Sequence, residues 1–276
     1  MEPRKILHKL FSGIGHLLAL FRGNRLLEWL AAHFGALRRR FANVNFDSRS
    51  NGELRVIQAL EVIDPQVVLD VGANRGDWSA LVRQRYPRCH IHAFEILPAT
   101  FVQLQSRTAD WQQVTINNIG LAAAPGTVLM HTSADDNLTS TAYPLEGLAE
   151  HAAHYTGSEV CPVTTGAHYM QEHDLDAIDM LKIDVEGMDL QVIKGFGDGL
   201  RQIRVIQFEY GIFNIASRDL LYDFHALLTS AGFRVGKIYP RTVEFFDYHY
   251  SREDFLGNNY LAVRRQETEL LARLQR

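Results

Sequence analysis

The chain has 276 residues, 46% hydrophobic and 22% charged, enough to bury the core of one large domain or of a domain with an appendage. Its two cysteines, Cys89 and Cys161, exclude a disulfide framework and a CxxC metal knuckle, and read as reduced thiols of a cytoplasmic protein. The net charge is −4, but residues 1–41 carry eight Lys or Arg against Glu2 and Glu28, a net +6 that leaves −10 on the remainder and argues against general nucleic-acid binding.

The basic head, residues 1–45, has helical periodicity. Ile6, Leu7, Leu10, Phe11, Ile14, Leu17, Leu18 and Phe21 follow a three-and-four spacing, Arg22-Gly23-Asn24 breaks it, and Leu26, Leu27, Leu30, Phe34, Leu37 and Phe41 resume it. The run Leu10 to Phe21 is too short to span a bilayer. Two readings fit: a helical hairpin packed on the body or on a second subunit, or an interfacial pair in peripheral contact with the inner face of a membrane.

From residue 52 strands and helices alternate. A helix over Glu53–Val62 stops at Asp64-Pro65, and Val67–Val71 is a short β-branched run that reads as a buried parallel strand. Helix Asp77–Arg85, strand His90–Phe94 and helix starting at Pro98 follow. Val114–Leu121 reads as a third strand turning through Ala124-Pro125-Gly126 into a partner at Thr127–His131, and Val160–Thr164 as an edge strand. Residues 132–160 are irregular. Ile178–Ile183, helix Asp189–Gly195, Val205–Phe208, helix Leu220–Ala231 and an antiparallel pair at Phe233–Tyr239 and Tyr260–Arg264 complete the domain, 52–265, ahead of a helical tail, 266–276. Such alternation implies a doubly wound α/β fold with a mostly parallel sheet, whose ligands bind beyond the carboxyl ends of the strands.

Four acids fall at those ends: Asp70, Glu95, Asp184 and Glu209. Gathered on one rim they repel one another unless a ligand or cation uses them. The turn Asp70–Gly76 needs Gly72 and Gly76 for a close approach of backbone to ligand, and Glu95 is placed to accept both hydroxyls of a ribose. An NAD-linked oxidoreductase or epimerase is the alternative. It lacks a second close glycine, since Ala73-Asn74 stands there, and Asp70 would repel a pyrophosphate while suiting a cationic nucleoside.

The stretch Val68–Gly76 resembles the first motif of class I methyltransferases. Leu181–Gly195 carries a K-x-D-x-E-G pattern at Lys182, Asp184, Glu186 and Gly187 and closely resembles the FkbM-type methyltransferases. Ala93-Phe94-Glu95 with Pro98, Phe208-Glu209 and Gly257–Ala262 fit the same family. The resemblance implies a Rossmann-like, seven-stranded sheet, S-adenosylmethionine as methyl donor, and a hydroxyl acceptor on a sugar, glycolipid or related small molecule. It places Asp70, Gly72, Asn74 and Gly76 around the methionine portion and Glu95 on the ribose.

An alcohol acceptor must lose a proton, so a base or a metal is expected beside it. Asp184, Glu186 and Glu209 are the candidates, with Lys182 holding one of them or steering substrate, or else pairing with Glu186 to pin the turn. Oxygen ligands at Asp184 and Glu209 could take Mg²⁺. His131 and His249 are outlying candidates for the base, and Tyr143, Tyr155 and Tyr169 for a sugar platform; Asp135-Asp136 reads as solvated loop. A scaffold of the same fold that has lost catalysis and acts through its head is the remaining alternative.

Overall fold

The computed structural model describes residues 3–133, 140–143 and 155–276; Asp135, Asp136, His151 and His154 lie outside the described residues. The chain forms two compact units, Met1–Val44 and Asn45–Arg276. The first holds helices α1 (Pro3–Leu20) and α2 (Arg25–Phe41). Asn24 starts α2 by accepting the backbone N–H groups of Leu26 (3.0 Å) and Leu27 (3.2 Å) on its side-chain oxygen. Arg38, Arg39 and Arg40 sit in its last turn, where cations complement the helix dipole.

In the second unit, β1 (Val67–Val71), β2 (His90–Phe94), β3 (Val114–Asn117), β7 (Ile178–Ile183) and β8 (Ile203–Tyr210) pair in parallel. The antiparallel strands β11 (Asn258–Arg264), β9 (Phe233–Ile238) and β10 (Val243–Phe245) extend one edge, giving the order β10-β9-β11-β8-β7-β1-β2-β3. The sheet therefore has eight strands rather than seven, the addition being the three-residue β10 hairpinned onto β9.

Both faces are covered, as β-branched and apolar strands demand. Leu69, Leu181, Ile206 and Phe208 pack under α7 (Asp189–Gly195) and α9 (Leu221–Ser230), through Leu190, Ile193, Phe224 and Leu228. Val68, Met180, Val205 and Leu261 pack under α3 (Glu53–Ala59), α4 (Asp77–Arg85) and α10 (Thr268–Leu274), through Val56, Trp78, Leu81 and Leu271. Helices α5 (Pro98–Thr108), α6 (Gly166–Glu172) and the short α8 (Phe213–Ser217) complete the unit.

The stretch Val114–Leu121 is not one strand. Asn118 donates its side-chain N–H to the carbonyls of Glu95 (2.8 Å) and Ile96 (3.2 Å), turning the chain out of β3. Gly120–Leu121 then forms β4 of a separate sheet, in which β6 (Tyr155–Thr164) lies between β4 and β5 (Gly126–Ser133). Val160–Thr164 is thus part of a central strand of that small sheet, and β5 pairs with it rather than with the third strand.

Candidate active site

Beyond β1, β2 and β7 lies a cavity lined by Gly72, Asn74, Glu95, Ile96, Met130, Ser140, Asp184, Val185 and Glu186. Next to it an apolar crevice is lined by Phe94, Ile119, Leu121, Val163 and Met188, and shares Gly72, Ile96, Met130 and Val185 with the first. One end of the combined crevice is acidic, the other oily.

Glu95 follows β2 and is held from two sides. The backbone N–H groups of Asn74 (3.0 Å) and Leu97 (2.9 Å) donate to its two carboxylate oxygens, and burial pushes its pKa up to about 6. Gly72 adopts φ +80°, and a Cβ there would stand 1.9 Å from the carbonyl oxygen of Asp184, so β1 and β7 can end in contact only with glycine at this position. Asn74 and Glu186, both lining the cavity, are non-glycine residues with left-handed backbones, φ +49° and +52°. Gly76, φ +81°, starts α4 against Leu104 and does not line the cavity.

Asp70 is the principal correction to the sequence reading. Its carboxylate is fully buried on the α3/α4 face of the sheet, where it accepts Ser79 Oγ (2.6 Å) and Lys182 Nζ (3.2 Å). It does not line the cavity that Glu95 lines, although it lies close enough for its charge to raise the Glu95 pKa. The strand register explains this. Asp70 pairs with Lys182 and Lys182 with Gln207, so the three side chains form one row across β1, β7 and β8, below the rim.

Lys182 is likewise buried beneath the rim. Its ammonium bridges Asp70 (3.2 Å) and Asp184 (3.4 Å). Burial alone would depress it, but Asp70, Asp184 and Glu53 outweigh burial and hold it above the ordinary lysine value. The pairing imagined between Lys182 and Glu186 is instead made with the two aspartates.

Asp184, with its side chain 41% exposed, stands at the mouth. Carboxylate oxygens of Asp184, Glu186 and Glu209 lie within 4.8 Å of one another. Burial first, then mutual repulsion, raises the pKa values of both Glu186 and Glu209 well above the carboxylate range. That spacing would suit a divalent cation, and without one the mutual repulsion of the three carboxylates favours protonation of Glu186 and Glu209. Behind it Asp189 accepts the backbone N–H of Glu209 (3.0 Å) and is pushed up to about 7 by burial.

Several contributors had no sequence signal. Glu53, buried at the start of α3, accepts Gln207 (2.7 Å) and Asn51 (2.6 Å), partners 154 and 2 residues away. Ser140 and Met130 reach the cavity from the second sheet and its following turn, and Thr141 ties that turn to the Glu186 carbonyl (2.7 Å). Conversely, Tyr169 is buried with its hydroxyl against His92 (2.8 Å) and Asn117, which removes it as a sugar platform. His249 bonds Ser251 (2.9 Å) at a short turn, away from the cavity. His131 lies on β5, its backbone paired with Thr141, and neither it nor Tyr143 or Tyr155 lines the cavity.

A family model described as the methyltransferase FkbM domain matches residues 70–235, a span that holds every residue lining the cavity. The chain belongs to the FkbM methyltransferase family. It is a methyltransferase, and the dinucleotide-linked alternative is set aside. The hexuronic acid methyltransferase AglP of Haloferax volcanii is 25% identical over 207 residues, covering 67% of this chain and 80% of that one. The 2-O-methyltransferase NoeI of Sinorhizobium fredii is 24% identical over 164 residues, 56% and 67% of the two chains. Methyltransferase FkbM from Methylobacillus flagellatus, a crystal structure, superposes with a TM-score of 0.46 at 15% identity, over 72% of this chain and 44% of that one.

Proposed function

We propose that this FkbM methyltransferase transfers the methyl group of S-adenosylmethionine to a hydroxyl of a sugar, glycolipid or related natural product. The observation that carries the reading is Glu95. It is a carboxylate fixed by two backbone amides in the acidic cavity, followed in sequence by Ile96, which lines both that cavity and the apolar crevice. Those three surroundings match the three parts of a cationic nucleoside: a flat base against Ile96, Ile119 and Leu121, a ribose diol on Glu95, and an amino-acid cation beside the turn Gly72–Asn74 and the rim acids. The names of the two curated relatives, one for a hexuronic acid and one for a 2-O position, support a sugar hydroxyl as acceptor.

The cofactor supplies an activated methyl on a sulfonium, so the residues of the chain chiefly hold the acceptor oxygen close and in line, and take its proton. Glu186 is assigned the proton. It lines the cavity, and burial and the neighbouring Asp184 give it a higher affinity for protons than an ordinary carboxylate has. The neighbouring Glu209 raises that affinity by repulsion, while Lys182 fixes Asp184 at the mouth.

Native mass spectrometry of freshly purified protein is expected to show retained S-adenosylmethionine or its demethylated product. Calorimetry with S-adenosylhomocysteine is expected to show Glu95→Ala at least about 100-fold weaker, the loss of two charge-assisted hydrogen bonds of about 1.5–3 kcal/mol each. Unchanged affinity in a folded Glu95→Ala protein would remove the cofactor assignment. Glu186→Gln is expected to keep that affinity and lose methyl transfer by about 10²–10⁴-fold; full activity in this variant would move the base elsewhere.

A further inference from the structure

We infer that α1 and α2 form an amphipathic pair that seats the protein on an anionic membrane surface, lying in the plane of the interface. No residue of α2 is buried, and Phe34 and Phe41 are 69% and 87% exposed. Phe11, Ile14 and Leu18 of α1 are also exposed, at a spacing that puts them on one side of the helix. At 3.6 residues per turn, Leu26, Leu30, Phe34, Leu37 and Phe41 fall within an arc of roughly 80°. Arg38 and Arg40 then occupy the two shoulders of that arc, each about 70–90° from its centre. A leucine and phenylalanine stripe flanked by arginines is the pattern that inserts among acyl chains while the guanidinium groups meet headgroup phosphates.

Charge decides between occupants of this face. The head carries +6 on residues 1–41 and the remainder −10, so only the head is attracted to an anionic bilayer. A second copy laid parallel, stripe against stripe, would bring two Arg38-Arg39-Arg40 runs together. None of the described helices is long and apolar enough to cross a membrane, which leaves the interfacial pose. The inference is independent of the methyl-transfer reading.

The test is co-sedimentation of the full chain with vesicles of phosphatidylcholine alone and of phosphatidylcholine with one-third phosphatidylglycerol. Binding to the anionic vesicles is expected to exceed that to neutral ones by about tenfold or more, and to fall steeply at high salt. Phe34→Glu with Leu37→Glu is expected to abolish it, and Arg38→Gln with Arg39→Gln and Arg40→Gln to erase the preference for anionic lipid. Three results overturn the inference. They are absence of binding, equal binding to both vesicles, and a Phe34→Glu/Leu37→Glu protein that either melts earlier (the stripe packs on protein) or turns from dimer to monomer in sedimentation equilibrium.

Discussion

Lys182 makes no contact with the cavity, yet its loss should be felt throughout the rim. Its ammonium neutralises a fully buried Asp70 and tethers Asp184. Removing one partner of a buried pair leaves the other charge uncompensated, so Lys182→Met is expected to cost about 3–5 kcal/mol in urea unfolding. Adding Asp70→Asn should recover part of that cost, because the orphaned charge goes with it. Simple additivity of the two single-variant costs would deny the coupling. The same pair shows why the sequence put Asp70 in the wrong place. A carboxylate one residue before the end of a strand announces that it is near the rim, not which face it takes. The face is set by the pleat of β1 against β7, where Lys182 stands opposite. Glu95 lies one residue past the end of its strand and is free to turn into the cavity, so its position was legible.

The contact of the β1 and β7 ends is the element-scale feature on which the cavity depends. Gly72→Ala must both hold φ near +80° and displace the Asp184 carbonyl 1.9 Å away, whereas Gly197→Ala, at φ +50° with open space around it, bears the backbone cost alone. Each left-handed alanine should cost about 1 kcal/mol or more; the excess melting-temperature loss of Gly72→Ala over Gly197→Ala reads the clash, and parity between them would refute it. Strands such as β1, β2, β7 and β8 were readable because a continuous apolar run buried on both faces has few other fates. The break between β3 and β4 was not. It depends on Asn118 bonding the carbonyls of Glu95 and Ile96, more than twenty residues upstream, and on β5 finding β6 across an intervening segment. Met130, which reaches the site from that second sheet, and Ser140, which lies outside its strands, were therefore invisible to local pattern.

At the scale of the molecule, the rim is a store of protons. Burial raises Glu53, Glu95, Glu186, Asp189 and Glu209, with Glu95 at about 6 and Asp189 at about 7. An acid whose folded pKa exceeds its unfolded one adds stability below the unfolded value and loses it as pH rises through the folded value. His92 acts oppositely: burial lowers it to about 4, so it withdraws stability only as pH falls below its ordinary 6.5. Between about pH 8 and 6.5 the acids are therefore unopposed, and the urea midpoint of the ligand-free protein is expected to rise as pH falls through that window. Asp189→Asn should flatten the rise, because Asp189 titrates at about 7. A ribose diol donating to Glu95 favours its ionised form, so binding S-adenosylmethionine near pH 6 should expel protons. Its calorimetric enthalpy should then differ between buffers of different ionisation enthalpy. A midpoint flat between pH 8 and 6.5, together with one binding enthalpy in every buffer, would mean that these acids are already paired or ionised, and the rim would lose its claim to be a store of protons.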